Sequence, residues 1–321
     1  MKPTVSVGII TYNHAPFIRQ CLLSILEQIT QFEVEIVVGE DCSTDGTREE
    51  IQRVMAEFPG RITALFHNQN LGALHNGYDC VMPACRGEFV ALCEGDDLWN
   101  DCHKLQKQVD YLRAHPDCVL TCHDASVVNE KGELVVESRL KNHEKKELTA
   151  IELGQGGYVL ALTMCFRNRV RSFPQELYKS PNGDLFLCVL LSEFGYCHYH
   201  SDINPAKYRS HHGGVWSLRP QIERWKNALI TYSQLIKYLD GAGRKSLRDF
   251  YIYFSIDQQE TIFIHCLSHR KYADGLKSFF NLIGFTMRHR SMLAAPRAAA
   301  RLIRMAGRIA IQKKMTPTHQ T

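Results

Sequence analysis

The chain of 321 residues has no G-x-G-x-x-G after its first strand-like run and no G-x-x-x-x-G-K-[ST] anywhere. The first absence removes the glycine turn on which a dinucleotide pyrophosphate rests. The second removes the backbone cradle and lysine of a P-loop, so a dinucleotide dehydrogenase and a P-loop nucleotidase are both disfavoured. There is no apolar run of about 18 residues, hence no expected membrane span. Met1-Lys-Pro-Thr4 leads directly into a strand-like run without a secretory apolar region. None of the 12 cysteines stands in a C-x-x-C pair, and many lie in apolar runs (Cys21, Cys80, Cys93, Cys188, Cys266). That is the pattern of reduced, buried thiols, so a cytoplasmic location is expected rather than a disulfide framework. Cys118, Cys122 and His123, in or beside a predicted strand, read as core rather than as a metal cluster. A net charge of only +4 gives no reason to expect a nucleic-acid partner.

Hydrophobic residues make up 45% and charged residues 22%, which predicts a packed globular core. The chain is organised around Phe89-Val-Ala-Leu-Cys-Glu-Gly-Asp-Asp-Leu-Trp99. An apolar strand there ends in three carboxylates, Glu94, Asp96 and Asp97, around one glycine. Acids at the C-terminal end of a buried strand fall at the mouth of an α/β sheet, where ligands bind. Their mutual repulsion calls for a positive partner, and oxygen-only ligands suit a hard divalent cation, Mg²⁺ or Mn²⁺. A solvated turn before the next helix is the plainer alternative.

Strands are predicted at Val5–Ile10, Val34–Val38 and Ile62–Phe66, and helices over Phe17–Gln28, Thr47–Phe58 and Leu74–Ala84. Alternation with short connections predicts a parallel, doubly wound sheet of the α/β class. Four polar strand ends follow in order: Thr11-Tyr12-Asn13, Glu40-Asp41-x-Ser43-x-Asp45-Gly46, Asn70-Leu-Gly72 and Glu94-Gly-Asp96-Asp97. Each alone can be an ordinary turn or helix cap. As a series they resemble the family 2 glycosyltransferases of the GT-A fold, strongly over about 4–125 and more loosely to about 217. The resemblance implies that Thr11, Tyr12 and Asn13 contact the nucleotide. It implies that Glu40 or Asp41, with Ser43, holds the base or ribose, and that Asn70 and Gly72 lie beside the sugar nucleotide. Glu94, Asp96 and Asp97 match the family's metal motif, with Glu94 replacing the more usual Asp. Asp96 and Asp97 are the expected metal ligands, Asp96 also touching the donor.

Further on, strand, turn and strand are expected from Ala114 to Val136, a charged loop over Lys141–Glu147 and another strand over Leu160–Phe166. Asp184, after Ser180-Pro-Asn-Gly183, opens an apolar helix and can be a simple N-cap. By the resemblance it is the catalytic base facing the acceptor, with Glu193, inside that helix, in reserve. Tyr208-Arg-Ser-His211 resembles the segment closing the family's catalytic domain, which implies Arg209 on the diphosphate and His211, or the adjacent His212 in its place, on the metal or diphosphate; the plainer alternative is a basic surface loop with a buried Trp216. Residues 222–239 read as an amphipathic helix, and 250–267 and 272–285 as further helices. From 286 to 314 there are many Arg and Lys and no acid, a pattern suited to an anionic membrane surface.

The expected protein has a GT-A domain over 1–217, a helical appendage over 218–285 and a basic amphipathic tail over 286–321. The expected activity is inverting, metal-dependent transfer from a nucleotide-diphosphate sugar, a UDP-sugar first, to a saccharide or lipid-linked acceptor in surface polysaccharide synthesis. It would work in the cytoplasm, peripherally at the membrane. The rivals are a nucleotidyltransferase and a non-catalytic sugar-nucleotide-binding scaffold. The first would need a basic, Gly-rich loop after the first strand, and Thr11-Tyr-Asn-His14 is not one.

Overall fold

The computed structural model describes residues 2–214, 219–269 and 271–288. The described residues form two compact units, one from 2–178, 182–214 and 219, the other from 179–181, 220–269 and 271–288.

The larger unit is built on a seven-stranded sheet of order β3-β2-β1-β4-β8-β5-β9. Its strands are β1 (Val5–Thr11), β2 (Val34–Glu40), β3 (Ile62–Phe66), β4 (Phe89–Glu94), β5 (Cys118–Cys122), β8 (Cys165–Arg167) and β9 (Tyr196–Tyr199). A smaller sheet orders β10 (Ala206–Arg209), β6 (Ala125–Val128) and β7 (Leu134–Val136). β1, β2, β3 and β4 run parallel, whereas β8 is antiparallel to both β4 and β5. The sheet is therefore mainly, not wholly, parallel.

Both faces of the sheet are covered, which explains the near-continuous apolar character of its central strands. Val5, Val7 and Ile9 of β1 pack with Ile18, Leu22, Ile51, Leu105 and Val109 on one side. Val37 and Val90 pack with Val81, Leu187 and Leu191 on the other. The helices Ile18–Leu26, Thr47–Glu57 and Lys104–Ala114 thus back one face, and the segments around Met82–Ala84 and Gly183–Leu191 back the other.

Three local expectations are corrected. Leu160–Phe166 is not one strand: Thr163 donates from both its amide and hydroxyl to the Leu160 carbonyl, at 2.9 and 2.7 Å, closing a 3₁₀ turn before β8 begins. Glu193 lies beyond the helix Gly183–Leu191 rather than in it. The stretch from Leu74 to Ala84 is helical but irregular, with a π-helical turn over Asn76–Val81. The helix Lys104–Ala114 carries no clean apolar signature because its buried face includes Lys104 and Gln108.

The second unit has helices Gln221–Gly241, Lys245–Ser268 and Tyr272–Arg288. Gly243, at φ 71°, lets the chain reverse between the first two, in a conformation costly for other residues. Tyr232 packs on Tyr251 with ring centroids 5.6 Å apart, and Phe263 on Phe279 at 5.7 Å. No helix among the described residues is long and apolar enough to cross a membrane. Trp216 and the tail from 289 to 321 lie outside the described residues.

Candidate active site

Register brings the polar strand ends together. Thr11 pairs with Glu40, and Ile10 with Glu94, so β1, β2 and β4 stop side by side. The loop after β1 is then laced to the loop after β2. Asn13, at φ 56°, receives Thr44 N–H on its side-chain oxygen at 2.9 Å and donates its own amide to Ser43 Oγ at 2.9 Å. His14 N–H donates to Thr47 Oγ1 at 2.8 Å, and Ala15 N–H to Asp45 Oδ2 at 3.0 Å. Asparagine tolerates the left-handed conformation that this turn needs.

Glu40 and Asp41, both buried, do different work. Glu40 accepts from Ser43 N–H at 2.6 Å and from the Arg48 guanidinium at 2.6 Å. The Asp41 carboxylate accepts from the amides of Leu71 and Gly72 at 2.7 and 2.9 Å, while Asn70 Nδ2 donates to the Asp41 carbonyl at 3.2 Å. Asp41 therefore ties the second strand end to the third, and Gly72, at φ 81°, opens the following helical segment.

The acidic loop after β4 is anchored to β10. Leu98 and Lys207 exchange backbone hydrogen bonds. Arg209 donates its amide to Asp97 Oδ1 at 2.8 Å, its Nε to the Asp96 carbonyl at 2.9 Å and an Nη to Gln20 Oε1 at 2.9 Å. It also donates to the Glu130 carbonyl at 3.2 Å, and its guanidinium lies 4.7 Å over the Phe17 ring. The structure thus places Arg209 as a buried strut for the acidic loop. A Cβ on Gly95 would stand 2.5 Å from Thr11 Oγ1, so the loop approaches β1 as closely as glycine allows.

Two histidines converge on one carboxylate oxygen. His211 Nε2 lies 2.9 Å from Asp96 Oδ2, and His14 Nε2 lies 3.8 Å from the same atom. His14, Asp96 and His211 offer ligand atoms that all fall within 4.8 Å of one another. Phe17 fixes His211 with ring centroids 4.8 Å apart. Asp97 Oδ2, His14 Nδ1 and Thr11 Oγ1 are buried with no hydrogen-bond partner among the described residues. Orphaned polar atoms at this density need a satisfying group. A two-imidazole, one-carboxylate set with Asp97 adjacent has the chemistry of a divalent-cation site. His14 stands in the polar loop that marks the first strand end, but nothing in the sequence ties it to Asp96. Asp97 faces Arg209 rather than joining the three.

The electrostatics follow from burial and crowding. Burial and the charges of Asp96 and Asp184 push the Glu94 carboxyl up to about 7. Burial, Asp96 and Glu94 raise Asp97 well above the usual carboxylate range. For Asp96 burial acts upward, but the His211 hydrogen bond and the charge of His14 outweigh it and the net shift is downward. Burial lowers His14, favouring its neutral form. Asp184, the first acid of the helix Gly183–Leu191, accepts from Leu185 N–H at 2.8 Å. Its carboxyl borders accessible space, yet the enclosing protein displaces enough water to raise its pKa. The charge of Asp184 reaches Glu94 and contributes to holding its carboxyl up. His212, by contrast, is exposed and bonds to Glu130 at 3.1 Å.

Such a site, on a mainly parallel sheet with a smaller sheet beside it, defines a GT-A architecture. Residues 6–169 match Glycosyl transferase family 2, and the chain belongs to that family. The uncharacterized protein Rv1520 of Mycobacterium tuberculosis is 39% identical over 128 residues, 40% of this chain and 37% of that one. The putative teichuronic acid biosynthesis glycosyltransferase TuaG of Bacillus subtilis is 32% identical over 111 residues, 35% of this chain and 42% of TuaG. The match thus spans less than half of these relatives. The mannosyltransferase PcManGT from Pyrobaculum calidifontis, solved with GDP-Man and Mn²⁺, shares the fold at TM-score 0.58 and 18% identity, covering 98% of this chain and 88% of that one.

Proposed function

We propose that the chain is an inverting, metal-dependent glycosyltransferase that moves a sugar from a nucleotide-diphosphate sugar to a hydroxyl of a saccharide or lipid-linked saccharide. The observation that carries the reading is the convergence of His211 and His14 on Asp96 at the end of β4, with Asp184 within electrostatic reach of the same pocket. The loops after β1, β2 and β3, braced through Asn13, Ser43, Asp41 and Gly72, would form the nucleotide side of the pocket. A UDP-sugar is the first donor to try, and the kinship with TuaG favours surface polysaccharide assembly.

Asp184 would accept the acceptor's hydroxyl proton as that oxygen attacks the anomeric carbon from the face opposite the diphosphate. The carbon–oxygen bond to the diphosphate breaks, nucleoside diphosphate leaves and the configuration inverts. Burial raises the Asp184 carboxyl's pKa, which makes its carboxylate a stronger base than a free aspartate's. Mg²⁺ or Mn²⁺, held by Asp96 and His211 with Asp97 adjacent, would supply charge neutralisation for the leaving diphosphate.

Residues 1–217 would carry this chemistry, 218–285 would be an appendage, and the basic segment 286–321 would bring the enzyme to an anionic membrane surface where a lipid-linked acceptor resides. Calorimetric titration with a panel of nucleotide diphosphates and their sugars, with Mn²⁺, Mg²⁺ or EDTA, tests the reading. Metal-dependent binding of one nucleotide, lost in Asp96→Ala, supports it. Release of pyrophosphate instead of nucleoside diphosphate during turnover would replace it with nucleotidyl transfer.

A further inference from the structure

The set His14–Asp96–His211 has a composition that acids on one strand end would not give. Two of its three ligand atoms are imidazole nitrogens, and both aim at one oxygen, Asp96 Oδ2, at 2.9 and 3.8 Å. Neighbouring ligands around a cation at ~2.1 Å stand about 3 Å apart, so His211 and Asp96 are already at chelating separation. His14 is somewhat wider and sits in the loop after β1, which is hydrogen-bonded to the loop after β2 at Ser43 and Thr47. A small adjustment of that loop, rather than refolding, closes the set. Asp97 stands outside the three residues whose ligand atoms fall within 4.8 Å of one another, and its Oδ1 is held by the Arg209 amide.

We infer that His14 is a direct ligand of the cation, and that the site therefore selects a first-row transition ion over Mg²⁺. The inference rests on, and deepens, the metal-dependent reading above. Mg²⁺ keeps to oxygen ligands and gives up water reluctantly, whereas imidazole suits the later first-row ions, whose affinity for a nitrogen-containing site rises from Mn²⁺ onward. Three protein ligands leave open positions on one side, which diphosphate oxygens can fill. In a site formed by Asp96 and Asp97 alone, Mg²⁺ and Mn²⁺ would be near equivalents, and His14 would be only a neighbour of the nucleotide.

Mn²⁺ binding to the full-length protein, without nucleotide, is read from the loss of the free-ion electron paramagnetic resonance signal, and Mg²⁺ is then titrated as competitor. The wild type is expected to bind one Mn²⁺ and to need a large excess of Mg²⁺ to release it. His14→Ala should weaken Mn²⁺ by at least about tenfold, the scale on which even outer contacts to a metal ligand act, and should narrow the gap to Mg²⁺. His14→Asp should restore binding with a preference moved toward Mg²⁺, and thermal melts of both variants show that the fold is retained. Unchanged Mn²⁺ affinity and Mg²⁺ competition in folded His14→Ala would overturn the inference and leave the transferase reading intact. His14-dependent Mn²⁺ binding without nucleotide-sugar turnover would support the site and remove the transferase reading.

Discussion

The backbone amide of Arg209 donates to Oδ1 of Asp97 at 2.8 Å, joining residues 112 positions apart. The same arginine's side chain reaches the Asp96 carbonyl, Gln20 and the Glu130 carbonyl. One residue of β10 therefore sets the position of both aspartates of the acidic loop. The planar fork matters, because lysine cannot make these divergent bonds. Arg209→Lys should lower stability by about 2–3 kcal/mol, the scale of losing hydrogen bonds to a charged group, and should weaken Mn²⁺ binding in parallel. Urea denaturation and metal titration of the same preparation check this; full stability would show that the strut is dispensable.

Asp184→Asn keeps the shape and removes the base. Turnover should fall by about 10²–10⁴-fold while calorimetry shows donor affinity near that of wild type. Wild-type turnover would take Asp184 out of the reaction.

Glu40 and Asp41 are adjacent but should separate cleanly on substitution. Glu40 is committed to Arg48 and the Ser43 amide, so Glu40→Gln should cost about 2 kcal/mol of stability. Asp41 holds the Leu71 and Gly72 amides that shape the nucleotide side of the pocket. Asp41→Asn should chiefly weaken donor affinity, because the amide supplies one acceptor oxygen where two N–H groups now bind. Denaturation midpoints beside nucleotide titrations distinguish the two, and equal effects on both measurements would refute the division.

Lys104, almost wholly buried, donates to Gln108 at 2.7 Å and lies 4.0 Å over Trp99. Burial pushes its ammonium down to about 8 from 10.5. Between those values the unfolded chain binds more protons than the folded one, so this residue's contribution to stability rises with pH. At ~1.4 kcal/mol per pH unit the ceiling is ~3 kcal/mol. The stability of wild type minus that of Lys104→Met should therefore increase from pH 8 to pH 10.5, and a flat difference would mean that Lys104 is charged in the fold throughout.

The larger unit's architecture was legible from composition and spacing. Apolar runs of strand length alternate with helical periodicity, and each strand stops at a cluster of Asn, Asp, Ser and Gly because a buried run cannot continue into solvent without turn-forming residues. Glu94, Asp96 and Asp97 announce themselves, since three acids after an apolar strand must meet a counter-charge. Asp184 at the head of its helix was equally visible. What the pattern could not carry was any pairing across the chain. That His14 and His211 meet at one oxygen of Asp96, that Arg209 braces the loop from within, and that Glu40 turns to Arg48 while Asp41 turns to Gly72 all depend on strand register and loop closure. Side-chain alternation tells which residues point inward, but a contact between residues about a hundred positions apart exists only once the sheet order has set β1 beside β4 and the β10 segment has folded back over the strand ends.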